Sequence, residues 1–564
     1  MPAALVRGRG SHALERRDSR VLTVEKNKLY FGDNLDVLPQ HIADESVDLV
    51  YLDPPFNSNR NYSVIFSKHA EVEDDNAQIQ AFEDTWHWHP GSEKEYAEFV
   101  TTAAGKVADA LTAFRTLLGE NDAMAYLVNM APRLVEMHRV LKPTGSLYLH
   151  CDPTMSHYLK ILLDGIFDPR NFRNEIVWKR TAAKGLSTTR LARNHDVILN
   201  YTKTNKAYWN LDAAFIPYDL DDLDEKTAAK YKHTDEDGRV YRLSDLTNPN
   251  PDRPNLTYEF MGMTKVWRWT KDRMKQAFED GLIVQTEPGT IPQLKRYIDE
   301  QRGRPLNDVW ADIPPLNSQA AERLGYPTQK PVALLERIIE ASTKPGDLVL
   351  DPFCGCGTSV DAAQKLGRRW VGIDITYIAV DLIIKRLDHT YGDSITDTFD
   401  VAGIPKDLAG AQAMFDKDPF EFERWAVSLV GAQPNQKQVG DKGVDGIGRF
   451  LLDNKGGVGK IIVSVKGGKT VNPAMVRELQ GAVKAQGAQM GVLVTITPAT
   501  KGVTDAINHG GVYTHPAAKQ AFPVLQHVTV AELMAGQRPK LPLMYKPYIE
   551  AKRQKINVQT GTLF

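Results

Sequence analysis

The chain has 564 residues, 42% of them apolar and 25% charged, with 69 lysines and arginines against 71 acids. That length exceeds one ordinary hydrophobic core and predicts two to four domains. The balanced charge excludes a globally basic nucleic-acid binder, though not a local basic cleft, and no apolar run reaches the ~20 residues of a bilayer span.

Residues 1–24 are basic without the apolar core of a secretory signal and read as a flexible tail. The first strong element is VDLVYLDPPF, residues 47–56. Proline lacks a backbone donor and restricts the residue before it, so a buried strand ends near Leu52 and a rigid loop follows. GSLYLHCD and HDVILNYTK read as further buried parallel strands, with apolar-periodic helical segments at 123–141 and 156–166. This is an α/β rhythm. It lapses over 205–310, where TNPNPDRPNL is turn-rich and TKVWRWTKDRM is aromatic and basic, and that stretch reads as an insertion. The rhythm resumes with PVALLERIIEAS, DLVLDPFCGCGTS and RRWVGIDI. A polar stretch over 396–419 reads as a linker, 420–536 as a second α/β unit, and 537–564 as a tail. The three cysteines, Cys151, Cys354 and Cys356, predict a reducing, cytoplasmic setting. No second pair or histidine cluster accompanies the C-x-C pair to make a zinc site.

In DLVLDPFCGCGTS a strand gives way to a glycine-bearing turn and then a helix. The next strand ends at Asp374, 23 residues after Asp351, close to the spacing at which an acid reaches a ribose diol. Asp351 puts a carboxylate where a phosphate would otherwise sit. That suits an ammonium, such as the methionine end of S-adenosylmethionine. The alternative is a purely structural strand-to-helix turn. Asp53, Pro54, Pro55 and Phe56 end their strand on the side where open α/β sheets bind ligands. Asp53 and the Pro54 carbonyl can accept both hydrogens of an amino group, and Phe56 offers a flat face to a base. Two such acceptors stabilise the positive nitrogen that develops as a methyl group arrives.

These residues resemble the amino-methyltransferases of bacterial restriction-modification systems, in the permuted branch whose catalytic motif precedes its cofactor motif. FGDNLDVLPQ, FRNEIVWKR, NHDVILNYTK, NDVWADIPPLNS and GYPTQKP are similar to segments of type III-like modification enzymes, so the resemblance spans about 28–390. It implies a Rossmann-like S-adenosylmethionine-dependent methyltransferase domain over 25–395, with 205–310 as target-recognition region. It implies catalysis by Asp53, Pro54, Pro55 and Phe56, and a cofactor pocket of Asp33, Thr328, Lys330, Asp351, Phe353, Gly355, Gly357, Thr358 and Asp374. Residues 326–331 would flank the methionine moiety, although Tyr326 stands where the family has histidine. The aspartate of D-P-P-F implies adenine N6 as target, with cytosine N4 the alternative. The resemblance further implies double-stranded DNA as partner, base flipping with Phe56 stacked on the extruded base, and either a homodimer or a separate restriction subunit alongside. Lys265, Trp267, Arg268, Trp269 and Lys271 would supply stacking and phosphate contacts.

GDKGVDGIGRF followed by KIIVSVKGGK resembles the Mrr-like branch of the PD-(D/E)xK nucleases. The resemblance implies an α/β restriction-endonuclease-like domain. In it Asp445 would bind a divalent cation such as Mg2+, Lys466 would stabilise charge at the scissile phosphate, and Glu423 would be a third acid. Ser464 departs from the pattern, since a carboxylate or amide belongs two residues before the lysine. Endonuclease activity and a non-cleaving DNA-binding module are therefore both open.

Overall fold

A computed structural model describes residues 26–55, 88–103, 105–181, 191–221, 223–316, 322, 329–435, 443–452 and 457–544, with the backbone of strands Asn61–Ile65 and Gln78–Glu83. Residues 1–24, Phe56 and Thr328 lie outside the described residues, as do 545–564 of the expected C-terminal tail. Among the described residues no helix is long and apolar enough to cross a membrane.

Among the described residues the principal sheet has nine strands. From edge to edge they are Val309–Trp310, Phe172–Lys179, His195–Thr202, Leu141–Cys151, Val47–Leu52, Leu348–Asp351, Arg369–Asp374, Asn27–Phe31 and Phe399–Ala402. Period-two alternation sends the side chains of one strand to opposite layers. Val50 and Leu52 join the core beneath helices Lys106–Leu118, Asp122–Val140 and Ser156–Phe167. Leu49 and Tyr51 join the core beneath Val332–Ser342, Thr358–Lys365 and Tyr377–Tyr391. The result is a three-layer α/β sandwich, as the sequence leads one to expect.

One expected strand direction is corrected. His195–Thr202 runs antiparallel to both of its neighbours, Leu141–Cys151 and Phe172–Lys179. Parallel neighbours need a crossover, usually helical, whereas a direct return gives an antiparallel pair. Buried strands of either direction read alike as apolar runs. The expected linker is also more structured than foreseen: it holds the edge strand Phe399–Ala402, paired with Asn27–Phe31, and the helix Leu408–Lys417.

The insertion builds its own small core from Leu246, Trp267, Met274, Ala277, Ile283 and Leu294. Trp267 is fully buried, with its indole N–H donating to the Tyr258 carbonyl (2.9 Å), so the expected stacking role does not fall to it. Lys265, Arg268 and Lys271 are exposed, and Arg273 stacks over Trp269 at 4.3 Å.

The second unit carries a five-stranded sheet, Gln433–Pro434, Gly446–Leu451, Val458–Lys466, Met490–Thr495 and Leu525–Thr529. Helix Pro419–Leu429 packs on it through Phe422, Trp425 and Ala426. Glu421 of that helix accepts the Tyr377 backbone N–H (3.1 Å) at the start of helix Tyr377–Tyr391 of the first unit.

Candidate active site

Four adjacent strands end on one side of the sheet and deliver the site. Val47–Leu52 pairs in parallel with Leu348–Asp351, in the register Leu49 to Val349 and Val50 to Leu350. Asp53 and Asp351, far apart in sequence, therefore leave neighbouring strand ends. Arg369–Asp374 and Asn27–Phe31 come next, bringing Asp374 and Asp33 alongside. One cavity is lined by Asp33, Asp53, Pro54, Pro55, Lys330, Asp351, Phe353, Gly355, Thr358 and Asp374, among others.

The glycine-bearing turn is held by hydrogen bonds to both aspartates. Asp351 is almost wholly buried and accepts from the Phe353 N–H (3.0 Å) and the Ser359 hydroxyl. Burial, reinforced by the charges of Asp53 and Asp374, outweighs those bonds and pushes its carboxyl up to about 7. Asp374 accepts from the Gly355 N–H (2.8 Å) on one oxygen and from the Thr376 N–H (2.9 Å) and hydroxyl (2.8 Å) on the other. Its carboxyl is likewise pushed up by burial, to about 6. Gly357 caps helix Thr358–Lys365 at φ 73°, and a Cβ there would lie 2.7 Å from Ile383 Cγ1, so only glycine fits.

Asp33 caps helix Asn34–His41 through the Leu35 N–H (2.9 Å) and takes a two-pronged contact from Arg133 Nη2 (2.9 and 3.0 Å). Lys330, expected to bind cofactor, lines the cavity and places its ammonium on Oδ2 of Asp53. Among the described residues three buried acceptor oxygens at the pocket lack a hydrogen-bond partner: Oδ1 of Asn34, of Asp53 and of Asn129.

Sequence reasoning missed the prop beneath the turn. Arg386, buried on helix Tyr377–Tyr391, donates to the Cys356 carbonyl (3.1 Å), to Thr358 Oγ1 (3.3 Å) and to Asp361 Oδ2 (2.8 Å). Asp361 in turn accepts the Tyr391 hydroxyl (2.8 Å). Nothing short of the folded packing distinguishes this arginine from a surface one. The network Tyr51–His150–Asp196 was missed for the same reason. The Tyr51 hydroxyl meets His150 Nδ1 at 3.0 Å, and His150 Nε2 meets Asp196 Oδ2 at 3.2 Å.

In the second unit the expected metal ligand Asp445 immediately precedes strand Gly446–Leu451. Its Oδ2 accepts the Val465 N–H (2.6 Å) and the Ser464 hydroxyl (3.2 Å), with Lys466 Nζ 3.9 Å away. Serine stands where a second carboxylate would have shared a cation, and it donates to Asp445 instead. Among the described residues no group of three His, Cys, Asp or Glu is placed to hold a metal ion. Glu423 is half-buried on helix Pro419–Leu429.

Two family models match separate stretches of the chain. Residues 420–535 match the family described as NACHT-associated inactive Restriction Endonuclease 1. Type II methyltransferase M.EcaI of Enterobacter cloacae is 28% identical over 389 residues, covering 66% of this chain and 74% of the relative. The StyLTI Mod subunit, a type III restriction-modification enzyme of Salmonella typhimurium, is 25% identical over 362 residues, covering 60% and 50%. A Thermus thermophilus protein solved with S-adenosyl-L-methionine is 15% identical, with a TM-score of 0.30 over 66% of this chain and 97% of its own. Residues 47–385, which hold Asp53, Asp351 and Asp374, match the DNA methylase (N6/N4) family model, and the chain belongs to that family.

Proposed function

We propose that the chain transfers a methyl group from S-adenosylmethionine to N6 of adenine in double-stranded DNA, as the modification arm of a restriction-modification or related defence system. The observation that carries this reading is the convergence of Asp53, Asp351 and Asp374 on one cavity from adjacent strand ends. The cavity suits the cofactor, because its walls are rich in acceptors and carboxylates. The unpartnered oxygens of Asn34 and Asn129 fit N–H donors, and Asp351 fits a cation. When bound, S-adenosylmethionine supplies an activated methyl group and a thioether leaving group. Asp374, with hydrogen bonds already on both oxygens, keeps a lone pair for the ribose, and Oδ1 of Asp53 accepts from the target amino group. Pro54 and Pro55 stiffen the loop that carries it. The amino group is out of reach inside a duplex, so the base is extruded, with Phe56 as its stacking surface. The carboxylate of Asp53, in place of the serine of a cytosine-N4 motif, favours adenine. Methylation sequencing of cells expressing the protein tests base and recognition motif together; N4-methylcytosine in place of N6-methyladenine overturns the assignment.

Cofactor affinity should depend on pH through Asp351. Below about pH 7 that carboxyl is protonated before the cofactor binds, and a cation bound beside it expels the proton. Affinity is then full above pH 7 and falls roughly tenfold per pH unit below it, the slope of one linked proton. Calorimetry at pH 8 and pH 6 reads the difference, which Asp351→Asn should abolish. Asp374→Ala should weaken binding at pH 8 by roughly 1.5–3 kcal/mol, the worth of hydrogen bonds to a charged group. An unchanged dissociation constant would place the ribose elsewhere.

The second unit serves as a non-cleaving DNA-binding module in this reading, since Ser464 stands where a second carboxylate is expected and donates to Asp445. Plasmid incubated with millimolar Mg2+ or Mn2+ should stay intact while the protein retards it on a gel. Metal-dependent cutting that Lys466→Ala abolishes would restore the nuclease reading. Partnership with a separate restriction subunit, and a homodimer, are the assembly states to test by mass measurement.

A further inference from the structure

The two oxygens of Asp53 are used differently. Oδ2 receives the Lys330 ammonium, whose side chain is only 7% exposed. Oδ1 is buried and has no hydrogen-bond partner among the described residues. Lys330 immediately precedes Pro331, the N-cap of helix Val332–Ser342, and the first turns of that helix are anchored by the fully buried Leu334 and Leu335. The ammonium thus reaches Asp53 from the segment that leads into this helix.

A second carboxylate feels the same charge. Asp196 is fully buried on the strand His195–Thr202. Burial alone would raise its carboxyl, but His150, Lys330 and Arg180 together hold it below the usual range. Arg180 Nη1 lies 3.3 Å from its Oδ1, and His150 links its Oδ2 to the Tyr51 hydroxyl. Tyr51 sits two residues before Asp53, so this network stands directly behind the reactive carboxylate. Drawing Lys330 away to a cofactor carboxylate would strip Asp53 of a buried counter-ion, which low-dielectric surroundings disfavour.

We propose that Lys330 is a positioning residue of the methyl-transfer step, which holds Oδ2 of Asp53 so that Oδ1 is presented to the target amino group. This rests on Asp53 being the amino-group acceptor. A carboxylate free to rotate offers its oxygens in many orientations, and a small misplacement at a reacting centre is costly in rate. The contact fixes one orientation. It also interposes the carboxylate between the ammonium and the nitrogen that becomes positive.

The test compares Lys330→Met, Lys330→Arg, Asp53→Ala and the Asp53→Ala/Lys330→Met double variant in the full chain. Cofactor affinity is read by calorimetry and methyl transfer at saturating S-adenosylmethionine. Lys330→Met should lower kcat by roughly 10–100-fold with the dissociation constant within about twofold of wild type, and arginine should recover part of the loss. In the Asp53→Ala background the same change should alter the residual rate by less than about twofold, because the two groups act as one unit. A dissociation constant weakened tenfold or more with kcat intact would make Lys330 a cofactor ligand and overturn the proposal. So would an unchanged or increased kcat, or a full rate loss that persists without Asp53. Should Lys330→Met fail to fold, Asp53→Asn/Lys330→Met removes both charges. A rate equal to Asp53→Asn alone supports the proposal, and a rate well below it overturns it. Wild-type activity in Asp53→Ala would instead sink the assignment of Asp53 itself, whereas an inactive Asp53→Ala with a fully active Lys330→Met sinks only the role of Lys330.

Discussion

Asp53→Ala is expected to lower methyl transfer by about 10²–10³, the usual loss on removing one preorganised charge-stabilising group, with S-adenosylmethionine binding nearly unchanged. The two effects separate because Asp53 reaches the pocket from the strand Val47–Leu52, whereas the glycine-bearing turn is held by Asp351 and Asp374. The substitution also removes one counter-charge from the Lys330 ammonium, so some thermal stability should be lost along with activity. Incorporation of labelled methyl into DNA under single-turnover conditions measures the first effect and calorimetry the second. Wild-type-like incorporation is the result that removes Asp53 from the reaction.

The largest effect on stability is expected from Arg386→Met. The residue is 6% exposed, and its guanidinium pairs with Asp361, itself 9% exposed. Burial would lower the proton affinity of the guanidinium, yet Asp361 beside it raises it above its usual value. Removing the cation leaves Asp361 buried and uncompensated, a change that typically costs about 3–5 kcal/mol. The Tyr391 hydroxyl that also donates to Asp361 is neutral and offsets only part of this. The Cys356 carbonyl and Thr358 hydroxyl lose their donor too, so the turn should loosen and cofactor affinity should fall with stability. Denaturant unfolding with and without S-adenosylmethionine checks both. A loss below about 1 kcal/mol would mean that the pair is solvated, as exposed ion pairs are.

These two sites differ in how far they could be read in advance. The tetrapeptide Asp53-Pro54-Pro55-Phe56 announces itself, because an apolar run that ends in two prolines can only be a strand leading into a rigid loop. The turn from Asp351 to Gly357 is legible for a similar reason. Left-handed backbone at Gly357 and a strand before it are local demands, written in neighbouring residues. The spacing to Asp374 follows from one strand-helix-strand unit. Alternating apolar segments likewise determined the α/β class, and the loss of that rhythm over 205–310 marked the insertion.

What the sequence could not decide was every pairing between distant segments. Lys330 lies in a segment whose resemblance pointed to the cofactor, and the fold adds a contact that no spacing announced, its ammonium on Asp53. Trp267 looked like an exposed stacking group until the insertion closed its own core around it. Asp445 and Lys466 have the spacing of a nuclease site, and the fold adds that Oδ2 of Asp445 accepts the Val465 N–H and the Ser464 hydroxyl. Apolar periodicity reports which face of a segment is buried, and turn chemistry reports where a segment ends. Neither carries the partner of a buried charge. That choice is made only when the nine strands assemble in their order and low-dielectric burial makes an unpaired ion costly.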